Sequence, residues 1–82
     1  MRLLFQGDSI TDAGRSRNPE APDLGNGYPK FAAQLIRERF PDISWDFINR
    51  GISGNRAADL LARWQEDCID LQPDVVSILI GI

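Results

Sequence analysis

The chain contains no histidine and only one cysteine among its 82 residues. Without histidine, a serine nucleophile in this chain lacks its usual base. The single Cys68 rules out an internal disulfide and fits a reducing compartment. No apolar run approaches the roughly 18 residues of a membrane span. The apolar start at Leu3-Leu4-Phe5 is far too short for a signal peptide, and Asp8 follows at once. A basic excess is also missing. The net charge is −3, which argues against nucleic acid and against an anionic membrane surface as partners. There are no repeats and no low-complexity tract. What remains is a composition of 43% hydrophobic and 26% charged residues, ordinary for a soluble globular protein, with a cytoplasmic location as the default. A chain this short forms one small domain at most and buries only about 60% of its unfolded surface.

The apolar pattern alternates between two periods. Residues 2–6 form a short buried strand ending at Gly7. Residues 13–27 are rich in glycine, proline, asparagine and charge and predict a long surface loop. A helix starts near Tyr28, with Pro29 suited to its first turn, and stops at Pro41. Phe31 and Leu35, with Ala32, Ile36 and Phe40, are its expected apolar face. Ile43, Trp45 and Phe47 alternate with polar residues, which predicts a second strand ending near Asn49. Gly51 and Gly54 bracket a tight turn, and Asn55 is placed to cap a second helix. Ala57, Leu61, Trp64, Cys68 and Leu71 give that helix one core-facing stripe, and Pro73 closes it. Residues 75–80 are apolar except for Ser77, the pattern of a parallel strand covered on both faces. Strand, helix, strand, helix, strand predicts an α/β fold with a parallel sheet. In strand order 2-1-3 the two helices fall on opposite faces, and the third strand becomes an exposed apolar edge.

Ligands of such a sheet bind at the carboxyl ends of the strands. Three segments end there: Gly7-Asp8-Ser9, the stretch from Asn49 to Gly54, and Gly81-Ile82. Ser9 offers a hydroxyl and, at the start of a turn, its own N–H; Gly54 offers an N–H with no side chain in the way. Gly7-Asp8-Ser9-Ile10-Thr11 resembles the first sequence block of the GDSL, or SGNH, hydrolases. Asn49-x-Gly51-x-Ser53-Gly54-Asn55 resembles their second block. Residues 76–82 resemble the approach to their third, normally Gly-x-Asn-Asp. Within the family the pattern is most similar to bacterial carbohydrate acetylesterases of the xylan acetylesterase type.

The resemblance implies a three-layer αβα flavodoxin-like fold with the sheet in order 2-1-3. It makes residues 1–82 the amino-terminal part of a single, incomplete hydrolase domain. Ser9 takes the place of the nucleophile and one oxyanion donor, and Gly54 that of the second donor. The family's asparagine donor would follow Ile82, and its Asp-x-x-His would lie further downstream. The implied substrate is a small-molecule ester, an acetylated sugar foremost, hydrolysed through an acyl-Ser9 intermediate without cofactor or metal. At most trace activity is expected of the chain alone. A thioesterase or lysophospholipase is the variant within the class. The competing class is a non-catalytic flavodoxin-like module that binds an anion or nucleotide at the first strand-to-helix turn. The oligomeric state is left open.

Several residues near these segments carry plainer expectations. Ser9 could simply cap a helix, and Gly54 could serve a positive-φ turn. Asp8 and Asp12 read as solvated first-turn acids, with Asp8 a candidate for holding the Ser9 turn through backbone N–H groups. Arg15, Arg17 and Arg56 read as solvated cations, Trp45 and Trp64 as core, and Cys68 as a small core residue.

Overall fold

In the computed structural model, residues 1–16 and 23–80 are described. The fold is assembled on β1 (Arg2–Gly7), which is buried from Leu3 to Gly7. It is buried because it is the middle strand. β2 (Asp46–Asn49) and β3 (Val75–Leu79) both pair with it in parallel, giving the order β2-β1-β3. Leu3 aligns with Phe47 and Val75, and Phe5 with Asn49 and Ser77. Burial of Leu4 and Phe5 stabilises the sheet by about 1.5–3 kcal/mol each.

Side chains alternate along a strand, so Phe5 and Gln6 point to opposite faces. α2 (Tyr28–Arg39) covers the Phe5 face. The Phe5 ring meets Tyr28 edge-on at 5.8 Å, and the Arg37 guanidinium lies 4.7 Å from the centre of the Phe47 ring. The opposite face is covered by the segment between β2 and β3. There the Gln6 amide donates to the Asp67 carbonyl at 2.5 Å. Right-handed crossovers running in opposite directions from β1 require this arrangement. The parallel sheet, its 2-1-3 order and its helical layers are those expected.

Five local expectations need correction. β2 begins at Asp46, so Ile43 and Trp45 lie outside it. After Pro41 the chain turns: the Ile43 N–H and the Trp45 indole both donate to the Phe40 carbonyl, and Trp45 stacks on Phe47 at 5.5 Å. In α2 the expected apolar face is turned away from the sheet, with Phe31 59% and Leu35 61% exposed. Pro29 and Ala33 are buried instead, because small side chains let the helix backbone lie close to the sheet. The single helix expected after Asn55 is three short pieces: α3 (Ala57–Ala62), α4 (Trp64–Asp67) and a 3-10 turn at Ile69–Leu71. Its cap is Arg56, whose N–H donates to Asp59 Oδ2 at 2.8 Å, rather than Asn55. The stripe is shifted as well: Leu60 is buried and Leu61 is 77% exposed. Helical phase is interrupted at Arg63, whose backbone (φ −112°, ψ 12°) separates α3 from α4.

The third strand keeps its two-sided apolar sequence but is an edge among the described strands, with Val75, Ile78 and Leu79 exposed. Of the loop expected over 13–27, residues 17–22, including Arg17, lie outside the described residues; the rest contains no helix or strand.

Candidate active site

β1 delivers the chain to the carboxyl edge of the sheet at Gly7. A Cβ there would overlap the Leu79 carbonyl oxygen and Thr11 Oγ1, so only glycine fits between β3 and the following turn. That turn is α1 (Ser9–Asp12), one turn long, with Asp12 N–H donating to the Asp8 carbonyl and Ala13 N–H to that of Ser9, both at 2.9 Å. Asp8 is its cap. Its buried carboxylate accepts from the Ile10 N–H at 3.2 Å, as expected of a residue holding the Ser9 turn. Ser9 is therefore not the cap. It is exposed at the first helical position, where a backbone N–H has no acceptor within the helix.

The second segment is fastened onto this turn by buried polar groups. Asn49, at the end of β2, donates to the Thr11 carbonyl at 2.7 Å and the Leu24 carbonyl at 2.9 Å, and accepts from the Gly51 N–H at 2.9 Å. At Gly51 a Cβ would sit 2.7 Å from the Asp12 nitrogen, so the loop can approach α1 this closely only as glycine. The Ile52 N–H donates to the Gly7 carbonyl at 3.1 Å. Asp12 Oδ2 then accepts both from the Ser53 N–H at 2.8 Å and from its hydroxyl at 2.9 Å. A tight turn closes with the Asn55 N–H on the Ile52 carbonyl at 3.1 Å.

Gly54 sits in that turn at φ +85°, and a Cβ on it would meet nothing within 4 Å. Positive φ, not crowding, accounts for glycine here. Ser9 and Gly54 thus lie exposed on two loops that Asp12 and Asn49 tie together at one edge of the sheet.

Asp12 and Arg15 depart from the sequence reading. Asp12, like Asp8, is buried rather than solvated. Arg15 is not a loop cation: only 8% of its side chain is exposed, its Nε donates to the Gly51 carbonyl at 2.7 Å, and it lies 3.7 Å from Asp12 Oδ1. Arg56 is exposed, as expected of a solvated cation. Trp45 and Trp64 are half-buried. Cys68 is buried, and burial pushes its thiol pKa up, which makes it a poor nucleophile. Among the described residues no cluster of histidine, cysteine, aspartate or glutamate is large enough to hold a metal ion. Of the polar residues that organise the edge, Asp12 and Asn49 carry sequence expectations but without their buried partners, and Gln6 and Arg63 carry no expectation as edge-organising residues. Gln6 carried the clearest signal, since it continues the apolar strand and is fully buried.

A parallel three-layer sheet with an exposed serine after its first strand, laced to a glycine turn after its second, is the architecture of the SGNH class of hydrolases. The sequence pattern of the GDSL-like Lipase/Acylhydrolase family matches residues 5–82, and the chain belongs to that family. It is 49% identical over 85 residues to an acetylxylan esterase of Geobacillus stearothermophilus, covering 99% of this chain and 38% of the esterase. The crystal structure of that esterase superimposes with a TM-score of 0.88 at 48% identity, over 99% of this chain and 38% of the other. A GDSL-like lipase candidate from Parabacteroides merdae superimposes with a TM-score of 0.92 at 47% identity, over 99% and 39% of the two chains. The chain therefore spans well under half the length of these relatives. Structures of the Geobacillus esterase include catalytic mutants altered at a serine, an aspartate and a histidine.

Proposed function

We propose that these residues are the nucleophile-bearing, amino-terminal part of one serine esterase domain that deacetylates a carbohydrate. The observation that carries the proposal is the pairing at the sheet edge: exposed Ser9 on α1, and the Gly54 turn bound to the same helix through Asp12 and Ser53. Family membership and likeness to an acetylxylan esterase support the ester chemistry and the acetylated sugar.

In the whole enzyme, a histidine outside these residues takes the proton from Ser9 Oγ, and Oγ attacks the ester carbonyl. The N–H groups of Ser9 and Gly54 hold the oxyanion that forms. The carbon–oxygen bond to the sugar then breaks, and the histidine returns the proton to the departing alcohol. Water, deprotonated by the same histidine, attacks the acyl-Ser9 carbonyl; the bond to Oγ breaks, the histidine returns the proton to Oγ, and the acetyl group leaves as acetic acid, which ionises to acetate. Each oxyanion donor is worth about 2.7–4 kcal/mol of barrier. The chain itself supplies no histidine, so the 82 residues alone hydrolyse esters at background rate. The buried carboxylates of Asp8 and Asp12 beside the turn disfavour the competing anion-binding module.

The experiment is hydrolysis of p-nitrophenyl acetate by the 82-residue chain and by the whole enzyme. The expected result is turnover by the whole enzyme only, lost on Ser9→Ala. Whole-enzyme turnover that survives Ser9→Ala contradicts the proposal.

A further inference from the structure

Arg63 is a heavily bonded side chain that the proposed chemistry does not use. Only 14% of it is exposed. Its Nε donates to Asn55 Oδ1 at 2.8 Å. Its Nη1 faces three acceptors: the Arg50 carbonyl at 2.9 Å, Gln6 Oε1 at 3.0 Å and Asp67 Oδ2 at 3.1 Å. Arg50 and Asn55 are the two ends of the loop that carries Gly54. One guanidinium therefore grips both feet of that loop and ties them to β1 through Gln6. Asp12 holds the loop's middle through Ser53.

The chemistry of the site makes packing an insufficient reason for this residue. Nη2 is buried with no hydrogen-bond partner among the described residues. An apolar side chain would fill the space without leaving a donor unpaired. Arg63 also interrupts the helix, separating α3 from α4. What an arginine gives here is a rigid planar fork, which fixes the directions to Asn55 and Arg50 at once; a lysine, a single flexible point charge, cannot do so. We propose that Arg63, with Asn55, is a positioning residue that sets the Gly54 N–H for the developing oxyanion. It acts through the loop and touches no substrate. The proposal rests on the esterase reading, with Gly54 as oxyanion donor.

The test uses the whole enzyme with an acetylated xylo-oligosaccharide and compares Arg63→Lys, Asn55→Ala, Asn55→Asp and the double variant Arg63→Lys/Asn55→Ala. Arg63→Lys and Asn55→Ala should each lower kcat by about tenfold or more with KM within about twofold, since a small misplacement of a donor acts on the transition state. Asn55→Asp keeps an acceptor for Nε and should hold kcat within about threefold of the parent. The double variant should be little worse than Arg63→Lys, because both changes cut the same tether.

A thermal melt of each variant separates loss of folding from loss of positioning. If Arg63→Lys does not fold, the two Asn55 variants decide. Folded variants with parental kcat, or an Asn55→Asp as slow as Asn55→Ala, overturn the proposal. Ser9→Ala in the same assay separates the two readings: if it abolishes turnover while the Arg63 and Asn55 variants stay fast, only the positioning role falls. If it leaves turnover intact, the esterase reading falls and takes the positioning role with it.

Discussion

The edge where β1 and β2 end and the flank along β3 are built on opposite principles. At the β1–β2 edge, buried polar side chains are bonded to one another's loops: Asp12 to Ser53, Asn49 to Thr11 and Leu24, and Arg15 to Gly51. Along β3 apolar side chains are exposed: Val75, Ile78 and Leu79 face solvent, as do Phe31 and Leu35 on α2. Buried polar groups cost free energy unless every partner is in place, so a cluster of them specifies one geometry. Exposed apolar groups specify none. The first region specifies its own geometry, and the second leaves apolar side chains in solvent.

The comparison breaks most easily at Asp12. Asp12→Ala removes the carboxylate that lies 3.7 Å from the buried Arg15 and accepts from Ser53. It should cost about 3–5 kcal/mol, read as a lowered denaturant midpoint. Leu4→Ala, in the centre of the sheet, should cost about 2–5 kcal/mol by the same measurement. A destabilisation of either below 1 kcal/mol would mean that the edge and core are looser than described.

Gly54→Ala sharpens the account within the edge. Its backbone sits at φ +85° with open space where a Cβ would go, so alanine meets strain without collision. About 1–2 kcal/mol of destabilisation is expected. At the other extreme, Leu61→Ser changes a side chain that is 77% exposed and should shift the midpoint by less than about 0.5 kcal/mol.

The parallel sheet and the places of Ser9 and Gly54 at its strand ends are legible in local sequence pattern, whereas the 2-1-3 order comes only with the family resemblance. Leu3-Leu4-Phe5 is a buried strand by composition, and the order of strands and helices dictates parallel pairing. Tertiary partners were out of reach. An aspartate in a first turn looks the same whether water or Ser53, 41 residues away, satisfies it. Before Arg63 the expected stripe is off by one position, with Leu60 buried in place of Leu61, whereas Cys68 beyond it is buried as expected; the phase changes where Arg63 leaves the helix to reach Gln6 and Asn55. Phe31 and Leu35 formed the more hydrophobic stripe of α2, yet close approach to the sheet selected Ala33.

In the proposed esterase, Ser9 is the attacking group. A fluorophosphonate reacts with a serine activated by a base and an oxyanion pocket, so the most direct measurement is to label the whole enzyme and map the adduct by mass spectrometry. The account predicts one adduct, on the peptide containing Ser9, and none after Ser9→Ala. An active enzyme that stays unlabelled at Ser9, or carries its adduct on another residue, contradicts it.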